Sequence, residues 1–276
     1  MNPHLAHTTK PLAIFVSLWA NRQLIFQMTR REILVKYTGS LIGGAWSFIF
    51  PLLMLTIYTF VFSVVFKSRW GTGEDESRSE FAIILFAGMI VFSLFSDTIN
   101  RAPSLIISNV NYVKKVVFPL EILPWVAIGT SLFHAGASLL VLLIVQLIIK
   151  LFIPWTVLFF PLIILPLIFF NLGLTWFLAA TAVFVRDIGQ ITSVLTTVLM
   201  FMSALFYPVS ALPSGYEIIL SLNPLVFLIS ESRKVLVFTA TPNWGYWSML
   251  LVFSLLFAYF GFWWFQKVRK GFADVL

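Results

Sequence analysis

The sequence predicts an all-α integral membrane protein with six transmembrane helices. Of its 276 residues, 60% are apolar and only 11% are charged, whereas about 25% are charged in a typical soluble domain. Several apolar stretches also contain no Asp, Glu, Lys or Arg and reach the roughly 20 residues that cross a bilayer. The charged residues are too few to cover a soluble globule, which excludes a cytosolic enzyme.

The six predicted spans are apolar runs separated by short charged segments. The second run is the shortest, and it reaches full length only by including Asp97. The others are long enough to cross with some tilt. The predicted spans cover residues 41–66, 81–99, 122–149, 157–185, 191–209 and 245–265.

The distribution of Lys and Arg predicts the orientation. Placing both termini in the cytoplasm leaves twelve of the 18 basic residues inside and six outside. Since basic residues concentrate in cytoplasmic loops, we expect a multi-pass protein of the cell inner (plasma) membrane with both termini cytoplasmic.

Residues 1–40 are predicted to be a cytoplasmic arm that contains an amphipathic interfacial helix, and residues 41–276 the six-span domain. A cleavable signal peptide is disfavoured, because Leu18 stands where a small residue should precede a cut after Ala20. Large apolar residues share one arc of the helix and polar residues the opposite one, as in helices that lie on membranes. The apolar arc holds Phe15, Leu18, Trp19, Ile25, Phe26 and Ile33, and the polar arc Gln23, Gln27, Arg30 and Arg31.

Between the fifth and sixth spans, residues 210–244 are predicted to form an outer re-entrant helical segment. Two apolar pieces, each too short to cross, are separated by the turn Asn223-Pro224. Backbone at that depth must be covered by protein or line a wet cavity. We therefore expect a gate at the pore mouth, formed by Pro208, Pro213, Asn223 and Pro224.

The sequence lacks the motifs of an enzyme or an ion-driven pump. It has no G-x-x-x-x-G-K-[ST] phosphate loop, no cysteine, and only three scattered histidines, so we expect no catalytic site, metal or cofactor in this chain. His134 lies alone in a span, which favours a packing role over a proton relay. Any energy for transport must come from another subunit. The basic residues flank membrane spans, so nucleic acid is not an expected partner.

Aromatic residues are abundant, with 30 Phe, 10 Trp and 7 Tyr. Aromatic rings offer flat apolar faces to sugar rings, and a polymer that slides needs a path without deep charged sites. Packing or lipid contact remains open as the alternative role. The predicted path residues are Trp46, Phe50 and Tyr58 in the first span, and Phe206 and Tyr207 at the end of the fifth.

The sequence around the first span resembles the permease subunits of ABC exporters that move O-antigen, teichoic acid and capsule chains. Other segments follow in the same order as in that family, although the outer loop at residues 67–80 is unusually long and charged. The matching positions are Arg30-Arg31-Glu32, Lys36-Tyr37, Ser40, Gly43, Trp46, Pro51, Lys114-Lys115, Phe118-Pro119, Val185-Arg186-Asp187-Ile188, Tyr207-Pro208, Leu212-Pro213, Asn223-Pro224, Arg233 and Phe272-Ala273-Asp274.

The resemblance implies a homodimer with two cytoplasmic nucleotide-binding ATPase subunits, which bind ATP and Mg. The implied substrate is a lipid-linked polysaccharide, with O-antigen first among the candidates. A drug or lipid ABC exporter stays open, and so does a membrane-embedded enzyme acting on lipid-linked sugars, although Asp97, Asp187 and Glu217 form no cluster in sequence. The expected ATPase contacts are Arg30, Arg31, Lys36, Lys114, Lys115, Arg186 and Asp187.

Overall fold

The computed structural model describes residues 12–65, 70, 78–114, 118–209, 220 and 222–276. Within these residues the regular structure is helical throughout, without a strand. This confirms the predicted all-α class for the described part of the chain.

The N-terminal arm consists of two helices, α1 (Leu12–Ala20) and α2 (Arg22–Tyr37). They meet at Asn21, whose side-chain amide donates a hydrogen bond of 2.9 Å to the Ser17 carbonyl. Of the predicted apolar arc, Phe15, Trp19 and Phe26 are exposed, whereas Leu18, Ile25 and Ile33 are half-buried. The residues before Leu12 lie outside the described structure.

Five stretches are long and apolar enough to cross a membrane, and each coincides with a predicted span. They are Gly43–Phe62, Ser79–Arg101, Leu120–Lys150, Trp155–Ala182 and Trp244–Val275. Their main helices are α3 (Trp46–Tyr58, continued by a π-helical turn over Thr59–Val65), α4 (Arg78–Arg101), α5 (Leu123–Lys150), α6 (Leu165–Ala182) and α9 (Trp244–Val268).

The helix at the predicted fifth span is shorter than its apolar run. It forms α7 (Ile188–Met202) and has 15 residues, or about 22 Å at 1.5 Å per residue, against about 30 Å of hydrocarbon. The run was expected to stay helical to residue 209. Instead, Ala204 adopts a left-handed conformation with φ of 51°, which ends the helix.

The predicted re-entrant segment is described only in its second half. Residues 210–219 and 221, which include Pro213, lie outside the described structure. Asn223 caps the helix α8 (Pro224–Leu236), and its side chain accepts a hydrogen bond from the Leu225 amide. The helix continues beyond the predicted apolar piece and carries Glu231 and Arg233 into the interior, where both are buried.

Arg233, counted among the six basic residues on the predicted outer side, is a buried side chain. Its side chain is only 4% exposed, and the guanidinium lies 4.2 Å from the centre of the Trp70 ring. Its nitrogens donate hydrogen bonds to the carbonyls of Ile84, Ala204 and Leu205, at 3.1, 2.9 and 2.7 Å. Two of these carbonyls lie just after α7, so Arg233 satisfies backbone groups that the end of the helix leaves free.

The core is organised around α4, whose Ile83, Leu85 and Val91 are fully buried. At the arm end of the bundle, Glu121 pairs with Arg269 at 2.5 Å, and Arg269 also donates to the Phe118 carbonyl. This pair holds the C-terminal tail against the loop before α5. Short helices complete the structure over Ser104–Ile107, Val110–Lys114, Phe160–Ile163 and Phe272–Val275.

Candidate functional site

A cavity of about 530 Å³ lies between α3, α4, α5 and the end of α7. We call it the aromatic cavity, because Trp46, Phe50 and Tyr58 line it from α3 and Phe86 and Phe92 from α4. Three of the five predicted path residues are thus brought together in one cavity.

A second cavity, of about 660 Å³, lies between α2, α4 and α5. Charged and amide side chains dominate its wall, so we call it the polar cavity. Its lining residues include Arg31, Glu32, Asn100, Arg101 and Thr130.

The two cavities share four lining residues: Lys36, Asp97, Ser131 and His134. We call these four residues the junction. They come from α2, α4 and α5, and the Lys36 ammonium lies 3.2 Å from Nε2 of His134. A lysine and a carboxylate thus reach the wall of both cavities at the junction.

The arm is fixed beside these cavities by its polar residues. Glu32 accepts hydrogen bonds from Arg101 of α4 at 2.6 Å and from Thr130 of α5 at 3.0 Å. The absence of a side chain at Gly129 lets α2 pack closely on α5, since a Cβ at that position would lie 2.9 Å from the Thr29 hydroxyl. Polar residues of α2 thus pack against the spans, while its apolar Phe26, Leu34 and Val35 stay exposed.

The other two predicted path residues lie beyond the aromatic cavity. Phe206 is buried and stacks on Phe62 with ring centres 4.6 Å apart, and its ring centre lies 5.9 Å from that of Tyr58. The Tyr207 hydroxyl donates a hydrogen bond of 2.8 Å to the Phe201 carbonyl. Tyr58 and Phe206 therefore connect the cavity to the segment that follows α7.

The predicted gate residues have different roles in the described structure. The Asn223 amide donates to the Met202 carbonyl and to the Ser203 hydroxyl, both at 3.1 Å, which ties the end of α7 to the start of α8. Pro224 is the first residue of α8, and Pro208 is half-buried. Pro213 lies outside the described residues.

The predicted ATPase contacts are mostly exposed. Arg186 and Asp187 are exposed, and Asp187 stands at the N-cap of α7, but its side chain forms no capping hydrogen bond. The helical backbone of Asp187 (φ −68°, ψ −14°) explains the absence of such a bond, since capping residues adopt extended conformations. Lys36 turns to the junction. Arg30, Arg31 and Lys114 are exposed, and Lys115 lies outside the described structure.

Sequence reasoning did not assign Asp97 and Ser131 to the site. A usable signal existed for Asp97, because an ionisable residue within a span usually marks a functional site. Ser131 carries no such signal, since an isolated serine in an apolar run is unremarkable until a cavity lies beside it.

Comparison with known proteins gives the family. The sequence profile of the ABC-2 type transporter family matches residues 23–237. The O-antigen export system permease protein RfbA of Myxococcus xanthus is 30% identical over 220 residues, which covers 79% of this chain and 82% of that protein. An RfbA of Klebsiella pneumoniae is 24% identical over 92% of this chain and 95% of its own length.

A further relative is the polysialic acid transport protein KpsM of Escherichia coli, which is 25% identical over 75% of this chain and 78% of that protein. The family profile begins within α2 and ends just after α8, so it includes both cavities and the buried Arg233. The chain therefore belongs to the ABC-2 type transporter family, as one of its membrane-spanning permeases.

Proposed function

We propose that this protein is the permease subunit of an ATP-driven exporter that moves a lipid-linked polysaccharide across the cell inner membrane, with O-antigen as the first candidate substrate. The relatives support this, because their names combine O-antigen export with polysialic acid transport. Export of a long glycan is the property that these names share.

The observation that carries the proposal is the aromatic cavity. Trp46, Phe50 and Tyr58 line it from a single helix, where Trp46 and Phe50 are one turn apart and Tyr58 lies about 18 Å further along the axis than Trp46. Such rings offer successive apolar faces to the C–H faces of sugars. An exporter of drugs or lipids has no comparable need for several aromatic rings spaced along its path.

We further propose a homodimer of six-span subunits with both termini in the cytoplasm and a re-entrant outer segment that includes α8. An exposed apolar stripe along α7 supports the second copy, because this helix is too short to cross alone and leaves its stripe uncovered by the described residues. The stripe consists of Ile191, Val194, Val198 and Phe201, at the spacing of one helix face.

The energy would come from two ATPase subunits, which bind ATP and Mg. This chain has no phosphate loop of its own. The exposed Arg30, Arg31, Lys114, Arg186 and Asp187 support contacts with those subunits, since charged residues without a role in the fold are available to a partner.

Deletion of the gene tests the proposal. We expect surface polysaccharide to disappear and lipid-linked polymer to accumulate inside the cell, with both effects reversed by the restored gene. A strain with an inactive ATPase partner is the matched control and should accumulate the same polymer. Unchanged surface polysaccharide, or loss of drug or lipid efflux instead, would contradict the proposal.

A further inference from the structure

We propose that the junction of Lys36, Asp97, Ser131 and His134 is a binding site for one uncharged sugar unit of the exported chain. The inference rests on the proposed function. It adds to the proposed polysaccharide path a site that would hold one sugar unit at a defined position. The aromatic cavity holds sugars by stacking, whereas the junction would recognise the positions of their hydroxyl groups.

The placement of the junction comes first. Its four residues line both cavities, so a chain that occupies both cavities runs past them. Three separate helices supply the side chains, with Lys36 on α2, Asp97 on α4, and Ser131 and His134 on α5. A ligand at this point therefore contacts the arm and two spans at once.

Two junction groups have hydrogen-bonding capacity that the described part of the chain does not use. The exposed Asp97 carboxylate has no hydrogen-bond partner among the described residues, although it lies inside a span, where such groups usually mark functional sites. Ser131 is only 2% exposed, and its hydroxyl has no hydrogen-bond partner there either. Buried polar groups in native proteins are normally satisfied, so the Ser131 hydroxyl points to a ligand, and the free acceptor oxygens of Asp97 beside it are available to the same ligand.

The chemistry of the junction fits a neutral polyhydroxyl ring. The Asp97 carboxylate accepts hydrogen bonds, the Lys36 ammonium donates them, and the Ser131 hydroxyl does either. Lys36 offsets the charge of Asp97, and the neighbouring Arg101 is paired with Glu32, so a phosphate or sialic acid carboxylate would meet Asp97 at close range. The rings of Tyr37 and Trp46 line the adjoining aromatic cavity, where they can take the apolar face of the same or the next sugar.

The first test separates recognition from folding by means of serine variants. Ser131→Ala removes a hydroxyl that stabilises nothing in the described structure, so we expect unchanged thermal stability but reduced export of surface polysaccharide. Ser254→Ala is the matched control, because Ser254 is equally buried and unpartnered yet lines neither cavity. Export at the wild-type level in Ser131→Ala would overturn the assignment of this residue to the site.

The second test uses the carboxylate. Asp97→Asn keeps an oxygen that accepts hydrogen bonds, so it should retain much of the export, while Asp97→Ala should lose about tenfold or more, as expected for a hydrogen bond to a charged group. If Asp97 served only to balance Lys36 and Arg101, the two variants would be equally impaired. Equal impairment would therefore overturn the proposal.

Binding is measured directly in the assembled exporter. The chain contains no cysteine, so Ser96→Cys, beside Asp97 on the aromatic cavity, provides one thiol in the permease chain, and its labelling is read on that chain after separation from the ATPase. A short oligosaccharide, released by mild acid from the host's own lipid-linked polymer, should slow its labelling by a small thiol reagent. The same oligosaccharide should have no effect in the Asp97→Ala background.

Protection that persists in Asp97→Ala, or is absent with Asp97 intact, would exclude a sugar site at the junction. These results leave the proposed function unaffected, provided that the wild-type protein restores surface polysaccharide in the deletion strain. If the wild-type protein fails to restore it, the proposed function itself falls.

Discussion

Gly261 of α9 lies directly against the backbone of Gly173 of α6. A Cβ built on Gly261 would overlap the Gly173 carbonyl, and a Cβ on Gly173 would lie 2.6 Å from the Phe257 carbonyl. Small residues allow membrane helices to pack at such short distances. The contact joins the fourth predicted span to the last one, beside the buried Trp176.

Gly173→Ala and Gly261→Ala should each destabilise the protein, because the atoms in the way belong to the backbone and cannot rotate aside. We expect a loss of about 1–3 kcal/mol, as for other overpacked sites, measured as a lower thermal unfolding midpoint in detergent. Gly136→Ala is the control, since a Cβ there has no atom within 4 Å. An unchanged midpoint in both test variants would show that the two helices separate easily.

Arg233→Ala should be strongly destabilising, because it leaves the buried carbonyls of Ala204 and Leu205 without their donor and removes a second donor from that of Ile84 within α4. Each unsatisfied group costs about 1–3 kcal/mol, and Arg233→Lys should recover only part of the stability, since an ammonium lacks the planar fork. Gly88→Ala should resemble Arg233→Ala, because its Cβ would lie 2.6 Å from a guanidinium nitrogen. Thermal stability measures all three.

The exposed Arg22→Ala is the control for this set and should unfold at the wild-type temperature. If Arg233→Ala unfolded at the same temperature as Arg22→Ala, the guanidinium would not be needed to stabilise the end of α7.

Tyr58→Ala should lower polysaccharide export, whereas Tyr58→Phe should preserve it, because the proposed role needs the ring and not the hydroxyl. Aromatic contacts of about 0.5–1.5 kcal/mol correspond to about a two- to tenfold change. Export is measured as surface polysaccharide at matched permease levels. Phe253→Ala is the control, since this exposed ring is not part of the cavity wall; equal export in all variants would move the path away from Tyr58.

Tyr207→Ala tests the outer end of the path, and Tyr207→Phe separates its two contributions. The hydroxyl bonds the Phe201 carbonyl, so the phenylalanine variant loses about 0.5–1.5 kcal/mol of stability while keeping the ring for stacking. We expect export to survive in Tyr207→Phe and to fall in Tyr207→Ala. If both variants lost export equally, the hydrogen bond rather than the ring would be what matters.

Replacing Arg186 and Asp187 together by alanine should reduce co-purification of the ATPase without unfolding the permease. Both side chains are exposed, and neither forms a hydrogen bond or ion pair with the described residues, so the fold has no need of them. The readouts are the amount of ATPase retained on the purified permease and the thermal midpoint. Lys267→Ala, which removes an exposed lysine stacked on Trp263, should retain the ATPase fully; normal retention in the double variant would remove its coupling role.

The sequence predicted the long spans well, because an uninterrupted apolar run leaves a helix as the way to satisfy its backbone in lipid. It failed at the end of α7. No glycine or proline stands at residues 203–206, and the helix ends where Arg233 supplies donors to the carbonyls of Ala204 and Leu205. Pro208 cannot donate a backbone hydrogen bond to the Ala204 carbonyl, so a local signal for the helix end was present. The contribution of Arg233 from a distant helix is not contained in a single-sequence pattern.

The aromatic part of the candidate site was predictable, since Trp46, Phe50 and Tyr58 all carry aromatic rings and lie on one helix. The junction was not, because Lys36 and His134 lie 98 residues apart in sequence and their meeting depends on how α2 packs on α5. The residues predicted for the polar face of α2, Gln23, Gln27, Arg30 and Arg31, are exposed. Thr29, Glu32 and Lys36, which contact the spans, were assigned to neither arc of the helix.

The attachment of the arm also determines how a mechanical load travels through the protein. The arm contacts α5 over about two helical turns, or roughly 11 Å, through Thr29, Glu32 and Lys36. With these successive contacts, the arm and α5 would move as one rigid unit. A force applied to the arm would thus be transmitted to α5 through these contacts. Since His134 of α5 borders both cavities, a displacement of the arm that moves α5 would alter their shape where they meet.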